Sequence, residues 1–207
     1  MSNIVIISGG MRPSGNTPRI ARVVEKELKS RKHNTHLIDL AETVLPLWDE
    51  GTWGVKPLDE KWGKVWAPLA EQLEKADGLV ILAPEYHGMV PSALQNLLML
   101  LGNGTLVSHK PALLIGVSAS TGGLYPVSQL RLNGSKNNRM LFLPDHLAIR
   151  DAGNMFTGAP KPEAAEADAI VTERLHWNLT QLEDYIEPMK AVRAKGHASN
   201  AKFANGM

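Results

Sequence analysis

The chain has 207 residues, of which 43% are apolar and 21% charged, a composition that fits one soluble globular domain and excludes collagen-like, coiled-coil and largely disordered chains. Lys and Arg number 22 against 21 Asp and Glu, so the net charge of +1 gives no compositional support for nucleic-acid binding. The absence of cysteine removes disulfide scaffolds, thiolate nucleophiles, iron–sulfur clusters and Cys-based zinc sites together.

In chain order, the run Ile4, Val5, Ile6, Ile7 is short, β-branched and apolar without alternation, which predicts a parallel strand buried on both faces. It is preceded by neither a cationic segment nor a long apolar run, and no stretch of the chain reaches a membrane-spanning length, so a soluble cytoplasmic protein is expected. Thr17 is expected as the N-cap of a first helix, with Pro18 at its first position and Ile20, Val24 and Leu28 on its buried stripe. A second strand is predicted over residues 37–40, a helix through Val65, Leu69 and Leu73, and a third strand over residues 79–83. A helix through Leu94, Leu97, Leu98 and Leu101, stopped by Gly102, leads to a fourth strand over residues 112–117. A weaker helix is expected within residues 123–138, and a fifth strand over residues 140–149, interrupted by Pro144. The final helix is expected over about residues 162–190, with Val171, Leu175, Leu179, Leu182 and Ile186 on one face.

Strands alternating with helices imply right-handed crossovers and an α/β fold with helices on both faces of a parallel sheet. Five strands predict the flavodoxin-like order 2-1-3-4-5. Residues 1–193 are expected to form one domain, and residues 194–207, rich in Gly, Ser, Asn and Lys, a frayed tail.

In such sheets ligands bind beyond the carboxyl ends of the strands, and three loops there carry unusual sequence. The first, Ser8-Gly9-Gly10-Met11-Arg12-Pro13-Ser14-Gly15-Asn16-Thr17, opens a helix, and its backbone N–H groups together with the helix N-terminus make an anion cradle. Gly10 and Gly15 have Walker-A spacing, but Asn16 stands where that motif has lysine, and no G-x-G-x-x-G occurs. A terminal monophosphate held by loop N–H groups, Asn16, Thr17 and Arg12 is therefore favoured over a triphosphate or dinucleotide.

The second loop, Pro84-Glu85-Tyr86-His87-Gly88-Met89-Val90-Pro91, has its backbone fixed by two prolines and a glycine. Tyr86 is placed either to cover a planar ligand or to pack beneath the loop, and His87 reads as a solvated turn residue or a ligand contact. The third, Ser118-Ala119-Ser120-Thr121-Gly122-Gly123, offers hydroxyls and bare backbone. The seven histidines are scattered, so no metal is assigned; His33 and His36 are read as a solvated pair. Trp48, Trp53, Trp62 and Trp66 cluster in one segment, either as an interface or as a cap on one end of the sheet.

Taken together, these loops resemble those of the flavodoxin-like NAD(P)H-dependent FMN reductases, a group that includes quinone, azo-dye and chromate reductases. The first loop is similar to the family's Gly-Ser-x-Arg-x-x-Gly-Asn-Thr variant, with Gly10 in place of serine. The second resembles Pro-Glu-Tyr-Asn-Gly followed by x-x-Pro-x-x-Leu-x-Asn, matched by Pro84, Glu85, Tyr86, Gly88, Pro91, Leu94 and Asn96, with His87 in place of asparagine. The third resembles the Ser-x-x-x-Gly-Gly segment, and Pro46-Leu47-Trp48-Asp49 the stretch after strand two.

The resemblance implies an FMN site in which the first loop wraps the phosphate through Gly10, Arg12, Gly15, Asn16 and Thr17. Pro84, Glu85, Tyr86, His87 and Gly88 would border the flavin ring, and Ser118, Ser120, Gly122 and Gly123 would face its other end. It also implies NADPH or NADH as hydride donor, a ping-pong route to quinones, azo compounds, metal oxyanions or free flavin, and a homodimer or homotetramer. No side chain is required as nucleophile, because the cofactor carries the chemistry. A flavodoxin-type electron carrier and a non-redox mononucleotide-binding protein remain as alternatives, although the near-neutral charge does not suit the acidic character of carriers.

Overall fold

Residues 4–7 are almost wholly inaccessible because helices cover both faces of the strand that contains them, β1 (Asn3–Ser8). The computed structural model describes residues 1–49, 60–102, 106–197 and 203. After β1 follow α1 (Asn16–Ser30), β2 (Asn34–Asp39), α2 (Glu60–Lys75), β3 (Gly78–Pro84), α3 (Ser92–Leu100), β4 (Pro111–Val117), α4 (Tyr125–Asn133), β5 (Leu141–Ile149) and α5 (Ala165–Arg193). The strands form one parallel sheet in the order β2-β1-β3-β4-β5, as predicted.

The two-sided burial appears as two apolar cores. Ile4 and Ile6 meet Ile20, Val24 and Leu28 of α1 and Leu175, Leu179 and Leu182 of α5. Val5 and Ile7 turn the other way, to Trp66, Leu69 and Leu73 of α2, Leu94 and Leu97 of α3, and Leu130 of α4. Each fully buried Ile or Leu here contributes about 1.5–3 kcal/mol relative to an exposed one.

Several boundaries differ from expectation for physical reasons. The first helix begins at Asn16 with Gly15 as N-cap and no side-chain cap, so Thr17 and Pro18 lie inside its first turn, where no N–H is needed. β2 is displaced to residues 34–39, because an edge strand tolerates polar Asn34 and Thr35. α4 covers only residues 125–133 of the segment expected to be helical. The interruption at Pro144 is a bulge: Ala112 pairs with Phe142 and Leu114 with His146, and Arg131 Nη2 donates to the freed Leu143 and Pro144 carbonyls at 2.6 and 2.8 Å. The last helical segment starts as a 3-10 turn (Pro162–Ala164) before α5.

One side reading changes as well. His33 is not solvated: its Nε2 lies 2.8 Å from Glu183 Oε1, and its Nδ1 accepts the Ser2 N–H at 3.3 Å. Trp66 is buried at the sheet face, whereas Trp53 and most of the expected tail lie outside the described residues. Among the described residues, no helix is long and apolar enough to cross a membrane.

Candidate functional site

The parallel arrangement brings the ends of β1, β3 and β4 to one edge of the sheet, and with them the three loops. Between the loops lies a crevice of about 470 Å³, within the size range of small-molecule sites. Arg12, Gly15, Asn16 and Thr17 form one wall, residues 84–87 another, and Val117 and Ala119 close the third side.

The first wall is an exposed helix end. Gly15 N–H donates to Arg12 O at 2.9 Å, closing a tight turn that delivers the chain into α1. The α1 N-terminus has no side-chain cap and no acidic residue in its first turn, so its N–H groups and partial positive charge are not neutralised by the chain itself. Arg12 is exposed and is the cation among the crevice-lining residues. Gly10 sits against Thr17: a Cβ at position 10 would stand 3.1 Å from Thr17 Cβ, so a serine there would force Thr17 to give way by a few tenths of an ångström.

The second wall is a tight hairpin. Tyr86 and Met89 exchange both backbone hydrogen bonds, at 3.2 and 3.0 Å. The two residues between them, His87 and Gly88, have φ of +52° and +75°, the double left-handed geometry of a type I′ turn. Asn-Gly is the preferred pair for this turn, and histidine shares with asparagine an unusual tolerance of positive φ. The exchange of asparagine for His87 therefore has a backbone explanation.

The third wall is tied to the second. Glu85 N–H donates to Val117 O at 2.9 Å, and the Glu85 carboxylate accepts the Gly123 N–H. Gly123 folds back over Gly116 of β4 so closely that a Cβ on Gly116 would fall 1.8 Å from Gly123 O. Ser118 Oγ accepts the Ser120 N–H at 3.2 Å, and Ser118 N–H donates to Ile149 O at 2.8 Å. Ser120 O in turn accepts the Asp151 N–H at 2.9 Å, which joins the loop after β5 to this edge.

Of the residues expected at the site, Arg12, Gly15, Asn16, Thr17, Pro84, Glu85, Tyr86 and His87 line the crevice. Gly10 lies behind Thr17, and Gly88 at the hairpin tip has no heavy atom within 4 Å of where a Cβ would stand. Ser118, Ser120, Gly122 and Gly123 build the third loop without lining the crevice. Pro18, Val117 and Ala119 line it although their side chains carry no chemistry to single them out; only their place beside the strand ends could have indicated them. Among the described residues there is no group of three or more His, Asp or Glu able to hold a metal.

Asn96, the last residue of the second motif, serves a neighbouring segment. It is only 4% exposed, its Oδ1 accepts the Trp48 N–H at 2.7 Å, and its Nδ2 donates to Pro46 O at 2.9 Å. Leu47, between those two tethered residues, is held outward at 77% exposure. Beside it lies an apolar hollow of about 280 Å³ bordered by Met11, Val44, Leu45 and Ala93.

The chain resembles known proteins both in sequence and in fold. The chain is 30% identical over 128 residues to the FMN-dependent NADPH-azoreductase of Staphylococcus aureus, covering 62% of this chain and 66% of the relative. It is 30% identical over 120 residues to the NADPH azoreductase of Bacillus sp. (strain OY1-2), covering 58% of this chain and 61% of the relative. The matched part thus spans a little under two thirds of these curated relatives. The flavoenzyme NAD(P)H:(acceptor) oxidoreductase of Paracoccus denitrificans shares the fold with a TM-score of 0.69 at 17% identity, over 89% of this chain and 99% of that one. The oxidised flavodoxin 1 of Bacillus cereus superposes with a TM-score of 0.54 at 18% identity, over 86% of this chain and 95% of that one. The family model for NADPH-dependent FMN reductases matches residues 2–154, which contain all three loops, and the chain belongs to that family.

Proposed function

We propose that this chain is an FMN-dependent oxidoreductase that uses NADPH, or NADH, to reduce small-molecule acceptors such as quinones or azo compounds. The observation that carries this reading is the crevice itself, where an uncapped helix N-terminus without acidic residues faces a rigid aromatic hairpin. Such an end suits a terminal phosphate, and the loop walls suit a flat ring.

In this reading the backbone N–H groups of Asn16 and Thr17 at the N-terminus of α1, the side chains of those two residues, and Arg12 hold the phosphate. The backbone of residues 84–88 borders the ring, and the loop from Ser118 to Gly123 closes on its far end. When bound, FMN supplies two-electron chemistry, taking hydride from the nicotinamide donor and passing the electrons to an acceptor that uses the same opening in turn. The chain's own part is to bind, orient and leave one face of the ring accessible, and no side chain need act as nucleophile.

The exposed Val44 and Leu47, at 81% and 77%, lie one residue from the crevice wall through Met11 and support a second copy of the chain covering this edge. A light-scattering mass of a single chain would remove that part of the proposal.

The test is to load the purified protein with FMN, remove the excess, add NADPH without oxygen, and then add a quinone or an azo dye. Bleaching of the flavin absorbance followed by its return, with parallel double-reciprocal rate lines, is the expected result. Flavin that stays bound but is not bleached by either nicotinamide donor would point to an electron carrier. A chain that retains no FMN would overturn the proposal.

A further inference from the structure

The second loop lies between the other two, and its first residues after β3 reach sideways in opposite directions. Toward the third loop, the Glu85 carboxylate takes the Gly123 N–H, and a Cβ on Gly122 would stand only 2.6 Å from Glu85 Oε1. A glycine at position 122 is therefore what lets the carboxylate reach its seat. Toward the first loop, Tyr86 Oη accepts the Met11 N–H at 3.3 Å, and the Arg12 guanidinium stands 6.0 Å from the ring centroid, within cation–π range.

We propose that Glu85 and Tyr86 are positioning residues that act as a crossbar, setting the first loop through Tyr86 and the third through Glu85, and that neither polar group is itself a ligand contact. The proposal rests on the reading of the crevice as an FMN site. Its physical basis is that both groups are already engaged by backbone N–H donors of neighbouring loops. A loop held in its binding geometry before the ligand arrives loses less entropy on binding, so each tether appears as affinity. The two tethers also serve different ends of the ligand. The Met11–Arg12 segment belongs to the phosphate cradle, and the Gly122–Gly123 segment to the ring end.

That division sets the experiment: affinities for FMN and for riboflavin, measured by flavin fluorescence quenching, together with melting temperatures, for the full-length wild type, Tyr86→Phe, Glu85→Ala and Glu85→Gln. Tyr86→Phe loses one neutral hydrogen bond and should weaken FMN about five- to tenfold while leaving riboflavin within about twofold. Glu85→Ala loses a charge-assisted bond and should weaken both ligands by the same factor, about ten- to a hundredfold. Glu85→Gln keeps an acceptor for the Gly123 N–H and should restore most of that loss.

Wild-type FMN affinity in Tyr86→Phe would overturn the proposal. So would an equal loss of both ligands in Tyr86→Phe that merely follows the melting temperature, because a purely structural role cannot change the FMN-to-riboflavin ratio, or a Glu85→Gln variant as weak as Glu85→Ala. A wild-type chain that binds neither ligand would overturn the reading of the site and this proposal with it, whereas binding by the wild type with unaltered variants overturns the proposal alone.

Discussion

Asn96→Asp is a near-isosteric change with a pH-dependent consequence. The carboxylate keeps an acceptor for the Trp48 N–H, but it sets a second oxygen where the amide now donates to Pro46 O at 2.9 Å. Losing that bond costs about 1 kcal/mol, and leaving a buried charge opposite a carbonyl adds roughly 1–3 kcal/mol, so the ionised variant should be about 2–4 kcal/mol less stable than wild type. Protonation returns a donor and removes most of the penalty. At about 1.4 kcal/mol per pKa unit, the penalty corresponds to a carboxyl that titrates roughly 1.5–3 units above the ordinary value of about 3.9. The folded variant then binds its proton more tightly than the unfolded chain, so its stability relative to wild type falls as pH rises from about 4 toward 7. Urea unfolding of wild type, Asn96→Asp and Asn96→Ala at about pH 4.5 and 7.5 measures this. The aspartate deficit should be about 2–4 kcal/mol at the higher pH and within about 1 kcal/mol at the lower, while the alanine deficit stays constant. An aspartate deficit equal at both values would refute the assignment of the Nδ2 donor to Pro46 O.

Gly116→Ala would put a Cβ 1.8 Å from Gly123 O, so the third loop must retreat by about 1.2 Å to reach the closest approach that real Cβ atoms show. A loss of about 1–3 kcal/mol in stability together with loss of FMN retention after desalting is expected, and wild-type values for both would count against it. At His87, with φ of +52°, valine should cost about 1–2 kcal/mol in a thermal melt while glycine costs nothing measurable; equal melting temperatures would contradict the turn assignment. Lys110 Nζ donates to Leu73 O and Glu74 O at 2.6 and 2.7 Å, and burial pulls its pKa down from 10.5 to about 8. The unfolded chain therefore holds this proton more tightly between those values, and wild-type stability should gain a rising contribution as pH passes from 8 toward 10.5. Denaturant unfolding across that range should show the contribution missing in Lys110→Met, and identical slopes in the two proteins would exclude it.

The strands were the most legible part of the chain. Residues 4–7, 79–83 and 112–117 lie within β1, β3 and β4, because strands covered on both faces are apolar without alternation, and the shortness and β-branched content of these runs separate them from buried helix. The edge strands were less legible: β2 begins with Asn34 and Thr35, and β5 carries Pro144 in a bulge that depends on Arg131 for its freed carbonyls. The start of α1 was misjudged for a related reason. Thr17 has the chemistry of a cap, but the chain leaves that helix end open toward the crevice.

By itself the sequence determined the alternation of strands and helices, the strand order and the three loops that meet at one edge. The alternation and the loops follow from periodicity and turn chemistry among near neighbours, which are local properties, and the strand order from the general rule for five-stranded folds of this class. Only the tertiary structure decided which polar groups meet. Glu85 finds its N–H 38 residues away on Gly123, Tyr86 finds one 75 residues away on Met11, and Asn96 finds Trp48 across 48 residues. No local pattern encodes such pairings, because they depend on how far each loop projects beyond its own strand, and that distance is set by the packing of the sheet between its helices.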